Sequence, residues 1–188
     1  MATILNADTV VGGAIVTADA SGQLDLQSAG TTGLSIASGN VTVANKITFV
    51  GTSTTAGAKI ADILETATIS ATAATGTINY DVTTQAVLYY TSNASANWTV
   101  NFRGSSGTSL NTLMATGESV TVAFLVTQGA TAYYNNALQI DGSSVTPKYQ
   151  GGTAWSAGNA SSIDVYSYTI IKTASATFTV LASQTKFA

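Results

Sequence analysis

The chain has 188 residues and a mass of 19.0 kDa, room for one domain with a core of its own, or one domain plus an arm. Charged residues make up only 8% of it, and it contains neither histidine nor cysteine, which excludes the commonest general base, thiol nucleophiles, disulfides and Cys/His zinc sites. With 9 acids against 6 bases and a pI near 4.5, it carries no basic field for a phosphate backbone, so no nucleic-acid partner is expected.

The first twenty residues lack the basic start of a secretory leader, and Asp8 interrupts their apolar run. No stretch approaches the ~20 apolar residues of a spanning helix, so neither processing nor a membrane partner is expected. Residues 1–60 then carry short apolar-polar-apolar triplets: Leu24-Asp25-Leu26, Leu34-Ser35-Ile36, Val41-Thr42-Val43 and Ile47-Thr48-Phe49. Between them lie Gly, Ser, Asn and Thr, so each triplet reads as a miniature strand closed by a turn. Their spacing is too irregular for a solenoid. Seventeen Val, Ile, Leu, Met or aromatic residues in this segment are too few to offset the entropy of ordering it alone. It is read as a docking and oligomerisation arm. Ile4, Leu5, Val10, Val11, Leu24, Leu26, Leu34 and Ile36 are its candidate contact residues.

From residue 61 the pattern changes. Fourteen of the fifteen aromatic residues fall between Tyr80 and Phe187. Ile63 and Leu64 lead into an Ala/Thr-rich run around Ile69, after which period-2 alternation recurs. It marks Ile78-Tyr80-Val82, Trp98-Val100-Phe102, Val120 to Val126, Leu138-Ile140, Tyr166-Tyr168-Ile170 and Phe178-Val180-Ala182. Ala86 to Tyr90 adds a more continuous run. Eight or nine strands are expected over 61–188, the load of an antiparallel β-sandwich or jelly roll, so the chain is read as all-β with an extended N-terminal arm. The one helical site is Ser109 to Ala115, with Leu110, Leu113 and Met114 at helical spacing and Gly117 beyond; it is expected to cap one end of the domain.

The candidate chemistry is sparse. Asp62 and Glu65 are the nearest thing to a carboxylate pair, at the domain junction where charges are ordinarily solvated. Asp141 opens an Asp-Gly turn that accounts for it. Serine is abundant, but there is no nucleophile elbow and no histidine to activate a hydroxyl. Gly104-Ser105-Ser106-Gly107 and Gly12-Gly13 lack the Lys-Ser/Thr of a phosphate loop. No enzymatic activity, metal or cofactor is expected.

The long connection from Asp141 to Ser162 holds the only proline, Pro147, with Tyr149 and Trp155. The Tyr89-Tyr90 and Tyr133-Tyr134 pairs put one ring on each face of a strand. Tyr133, Tyr134, Tyr149 and Trp155 are therefore the candidate ligand or partner residues, for stacking on a glycan or packing on a neighbouring subunit. Few lysines or glutamates guard the strand edges, which favours burying those edges in a symmetric oligomer.

The opening Met1 to Asp8, the Thr17 to Gln27 segment and Ser70 to Val82 resemble virion proteins of tailed bacteriophages, cyanophages among them. So do Tyr89 to Ser95, Asn97 to Arg103, Val122 to Gly129, Ile140 to Lys148, Gly158 to Ser162 and the Phe178 to Ala188 tail. The resemblance implies a structural role at the virion surface after assembly in the host cytoplasm, and carries over no catalytic residues. The short chain favours a capsid decoration (cement) protein, a homotrimer whose arm docks on the major capsid protein or another virion protein. A short tail or head fibre with a receptor-binding knob, and a carbohydrate-binding module facing a host surface glycan, are the alternatives.

Overall fold

The computed structural model describes residues 27–28, 31–32, 47–49, 51, 58 and 60–188. The chain divides into two compact units, Met1–Lys59 and Ile60–Ala188. In the first, β1 (Gln27–Ser28) and β2 (Thr31–Thr32) form a minimal antiparallel pair. The Ile47-Thr48-Phe49 triplet, expected as a miniature strand, carries none and lies exposed. The other three triplets fall outside the described residues.

The second unit is all-β. Its strands are β3 (Ala67–Ala73), β4 (Gly76–Asp81), β5 (Val87–Ser92), β6 (Trp98–Arg103) and β7 (Ser119–Thr127). They continue with β8 (Asn135–Ile140), β9 (Ser143–Ser144), β10 (Lys148–Tyr149), β11 (Ile163–Ala174) and β12 (Thr177–Phe187). One sheet has the order β10-β12-β11-β7-β5-β3 and the other β4-β6-β8-β9. From β3 to β8 successive strands alternate between the sheets. Sheet neighbours are therefore two strands apart in sequence and run parallel: β3 with β5, β5 with β7, β4 with β6 and β6 with β8. Antiparallel pairing is confined to β11 with β7 and β12, and to β8 with β9. The expectation of antiparallel sheets is thus corrected to mixed ones. Period-2 alternation reveals a buried face but not a pairing partner, and each crossover a parallel pair requires is here a strand of the other sheet.

The faces are those the alternation marks. Trp98, Val100 and Phe102 of β6 are buried, as are Val122, Phe124 and Val126 of β7 and Tyr166, Tyr168 and Ile170 of β11. Residues of both sheets share one apolar core. Trp98 sits edge-on to Phe124 (6.0 Å) and Tyr166 (5.7 Å), and Phe102 meets Tyr168 at 5.0 Å, contacts that join β6 of one sheet to β7 and β11 of the other. Tyr80 tilts against Phe102 at 5.3 Å, and its hydroxyl donates to the carbonyl oxygen of Ala86 (2.6 Å).

The short helix α1 (Leu110–Leu113) forms where expected. Ser109 caps it by accepting from the Thr112 N–H, and Leu110 is buried. Asp141 and Gly142, both at positive φ (51° and 80°), make the two-residue turn between β8 and β9. The Asp141 carboxyl group does more than serve its own turn: it accepts from the N–H groups of Leu110 (2.7 Å) and Asn111 (2.9 Å), tying that turn to the helix start.

Candidate functional site

The strand β10 pairs with only Leu181 and Ala182 of β12, and a single 3₁₀ turn, Gln150–Gly152, follows it. Gly151 (φ 73°) and Gly152 (φ 78°) let the chain reverse there. Two adjoining depressions result, of about 440 and 220 Å³, sharing Gln150, Ala182 and Ser183. Lys148, Tyr149, Ser167, Thr169 and Leu181 complete the larger; Gly151, Thr153, Trp155 and Gln184 complete the smaller.

An aromatic wall supports this groove. The Tyr149 and Trp155 rings meet edge to face at 4.7 Å, and Trp155 in turn meets Tyr166 at 5.2 Å. The indole N–H of Trp155 donates to the Asn135 carbonyl oxygen, whose side-chain oxygen accepts from the Tyr168 hydroxyl (2.9 Å). The Gln184 amide donates to the Tyr166 hydroxyl (3.0 Å) and the Ala157 carbonyl (3.1 Å). Burial pushes the Tyr149 hydroxyl pKa up, so it stays a neutral donor. The groove offers hydroxyls, amides and one ammonium, with no acidic side chain in its lining. Such a surface can hydrogen-bond a polar ligand; it has no paired groups for proton transfer.

Of the four aromatic residues picked out in the sequence, the structure brings Tyr149 and Trp155 together. Tyr133 and Tyr134 lie in the connection between β7 and β8 rather than on a strand, so they do not project to opposite sheet faces. Their backbone is pinned by side chains: Gln128 accepts from the Tyr133 N–H (3.0 Å) and donates to its carbonyl (2.7 Å), while Asn97 accepts from the Tyr134 N–H (3.0 Å). The Tyr133 main chain adjoins the long connection next to Gly158. The four rings form no single platform.

Beneath Tyr133 lies a polar cluster that pattern reading passed over. Asp164 is fully buried and accepts from Gln128 Nε2 (3.1 Å), Asn159 N (3.0 Å) and Asn159 Nδ2 (2.6 Å). The signal was present: Asp164 occupies the same alternating row as Tyr166, Tyr168 and Ile170.

The eight arm residues, Ile4 to Ile36, lie outside the described residues. The adjoining segment is described and has an unusual surface. Ile60, Ile63, Leu64 and Ile69 are exposed, Leu64 completely, and β3 forms an open sheet edge without a charged residue. Asp62 and Glu65 flank this strip, exposed and apart from the groove. Among the described residues no group of three or more His, Cys, Asp or Glu is placed to hold a metal ion. No protein-family model, curated protein or solved structure matches the chain.

Proposed function

We propose that the chain is a non-enzymatic structural protein of a tailed-phage particle, a capsid decoration (cement) protein. Residues 1–60 dock on the major capsid protein, and residues 61–188 project outward as a two-sheet β-sandwich, three copies to an assembly. The observation that carries this reading is the exposed apolar strip Ile60, Ile63, Leu64 and Ile69 beside the uncharged β3 edge. Isolated soluble proteins guard such edges with charge, bulges or cover; β3 has a register slip between Ser70 and Ala73 but no charge along it, and an assembly component uses such an edge. The virion-like sequence strings support the particle setting.

Removal of residues 1–60 tests the docking role. The truncated protein is expected to keep its β-sheet circular dichroism and to lose binding to particles stripped of this protein; retained binding sinks the role. Quantitative mass spectrometry of purified particles separates shell from tail, since a shell component is present in far more copies than a fibre.

A second reading, a short tail or head fibre whose β domain is a receptor-binding knob, is favoured by the groove beside Tyr149 and Trp155. A free-standing carbohydrate-binding module draws on the same groove. Glycan-array binding by the full chain, lost on combined Lys148→Ala and Gln150→Ala substitution, supports either reading, and presence in or absence from particles separates them.

A further inference from the structure

The six-stranded sheet is open at both ends, and its two edges differ in a complementary way. Within Ile60–Ala188 most charges are committed locally. Asp81 pairs with Arg103. Asp141 caps helix α1, Asp164 is buried among amides, the Glu118 carboxyl group accepts from the Ala115 N–H, and buried Lys172 donates to the carbonyls of Asn111 and Met114. Four other charged groups have, among the described residues, neither an ion pair nor a hydrogen bond beyond an adjoining residue. Two are acids, Asp62 and Glu65, in the extended lead-in to the β3 edge; two are lysines, Lys148 on β10 and Lys186 on β12, at the opposite edge.

The exposed large apolar side chains divide the same way. Ile60, Ile63, Leu64 and Ile69 lie with the acids, and Leu181 and Phe187 lie on β12 with the lysines; only Leu113 in this unit lies elsewhere. Both edges also have free backbone hydrogen-bonding groups. β3 is paired on one side only, and along β12 the outer side is covered by β10 at Leu181 and Ala182 alone.

We propose that the protein associates head to tail with a second copy of itself, the β3 edge of one copy, with the acids Asp62 and Glu65 in its lead-in, lining the basic β10–β12 edge of the next. Opposite charge sets the pairing, apolar side chains on both edges fill it, and the strand main chains complete it. A head-to-tail contact uses two different surfaces, so repetition gives a ring where the rotation between copies closes and an open filament where it does not; the contact gives the self-association of the proposed assembly a specific pair of surfaces. The inference rests on the self-association in that reading and not on particle docking, so loss of particle binding with solution assembly intact leaves it standing.

Charge reversal on the full chain tests it, at four exposed positions. By native mass spectrometry and sedimentation, the unaltered chain is expected to form oligomers that weaken with added salt. Asp62→Lys with Glu65→Lys, and Lys148→Glu with Lys186→Glu, are each expected to weaken self-association by about tenfold or more. An equimolar mixture of the two variants is expected to regain association as mixed dimers and open chains, because each then meets an edge of opposite sign, while a three-membered ring keeps one like-charged seam and stays weaker than that of the unaltered chain. A chain that stays monomeric, a loss confined to one variant, or a mixture that fails to associate each overturns the proposal, the second because it means that like edges meet.

Discussion

Asp164 and Lys172 occupy the two ends of one core-facing row of β11, with buried Tyr166, Tyr168 and Ile170 between them. At about 3.4 Å per residue they stand roughly 27 Å apart, too far to neutralise each other. Each is instead satisfied locally and fastens a loop over one end of the core.

At the Asp164 end, both carboxyl oxygens accept: Oδ1 from the Asn159 side chain, Oδ2 from the Asn159 main chain and Gln128. All three partners are donors. Asp164→Ala leaves them unpaired in the interior and is expected to cost about 3 kcal/mol in urea unfolding. Asp164→Asn, though equal in size, is not expected to restore stability, because either orientation of the amide turns an NH₂ toward a donor. An Asn variant as stable as the parent refutes the donor-only account of this cluster.

At the other end, Lys172 Nζ donates to the carbonyl oxygens of Asn111 (2.6 Å) and Met114 (2.8 Å), groups that the end of a short helix leaves free. Lys172→Met keeps most of the buried stem and removes the donors. The expected loss is about 2 kcal/mol, with faster hydrogen exchange over α1 than over β11. Uniform loss of protection across the sheet instead means that the ammonium supports the core as a whole.

The strands and the helix were legible because their signals are local. Period 2 marks Trp98-Val100-Phe102 whatever β6 pairs with, and Ser109 with Leu110 announces a helix start by chemistry within a few residues. Strand direction was not legible. β4 pairs with β6 across an intervening strand of the other sheet, a relation that no nearby residue encodes. The candidate rings were legible as aromatic residues in a long connection, and Tyr149 meets Trp155 there. Tyr133 and Tyr134 were misplaced because Gln128 and Asn97, which hold their backbone in the β7–β8 connection, act across 5 and 37 residues. Asp164 and Lys172 read as ordinary polar residues unless their row is followed to its ends.

Gly158 shows how tightly the long connection is seated. A Cβ there falls 2.1 Å from the Tyr133 carbonyl oxygen and 3.1 Å from Asp164 Oδ2, distances that main chain and buried cluster cannot yield to cheaply. Gly158→Ala is expected to destabilise by about 3 kcal/mol and to weaken the cover over Asp164. Gly107→Ala is the control. Nothing lies within 4 Å of its added Cβ, so its effect is expected within about 0.5 kcal/mol. Equal thermal shifts in the two variants disprove the close seating of the Gly158 segment.

The core also predicts how stability depends on alkali. Tyr80, Tyr166 and Tyr168 are fully buried, and burial pushes each hydroxyl pKa well above its ordinary value of 10.0. Negative charge on Glu65 adds to the rise at Tyr80, and that on Asp164 at Tyr166. The folded chain therefore keeps protons that the unfolded chain loses above pH 10, and the unfolded state gains from each loss. Stability is unaffected by these groups below pH 10 and falls as pH rises beyond it, by up to about 1.4 kcal/mol per pH unit for each tyrosine. Tyr80→Phe separates the two contributions of one hydroxyl. Losing its bonds to Ala86 and Ala123 is expected to lower neutral-pH stability by about 1 kcal/mol, while the alkaline fall becomes shallower by one proton's worth. Urea titrations at stepped pH, with tyrosinate absorbance followed in parallel, give both slopes. An unchanged slope in Tyr80→Phe means that the hydroxyl ionises in the folded state, which a ring sealed against Phe102 does not permit.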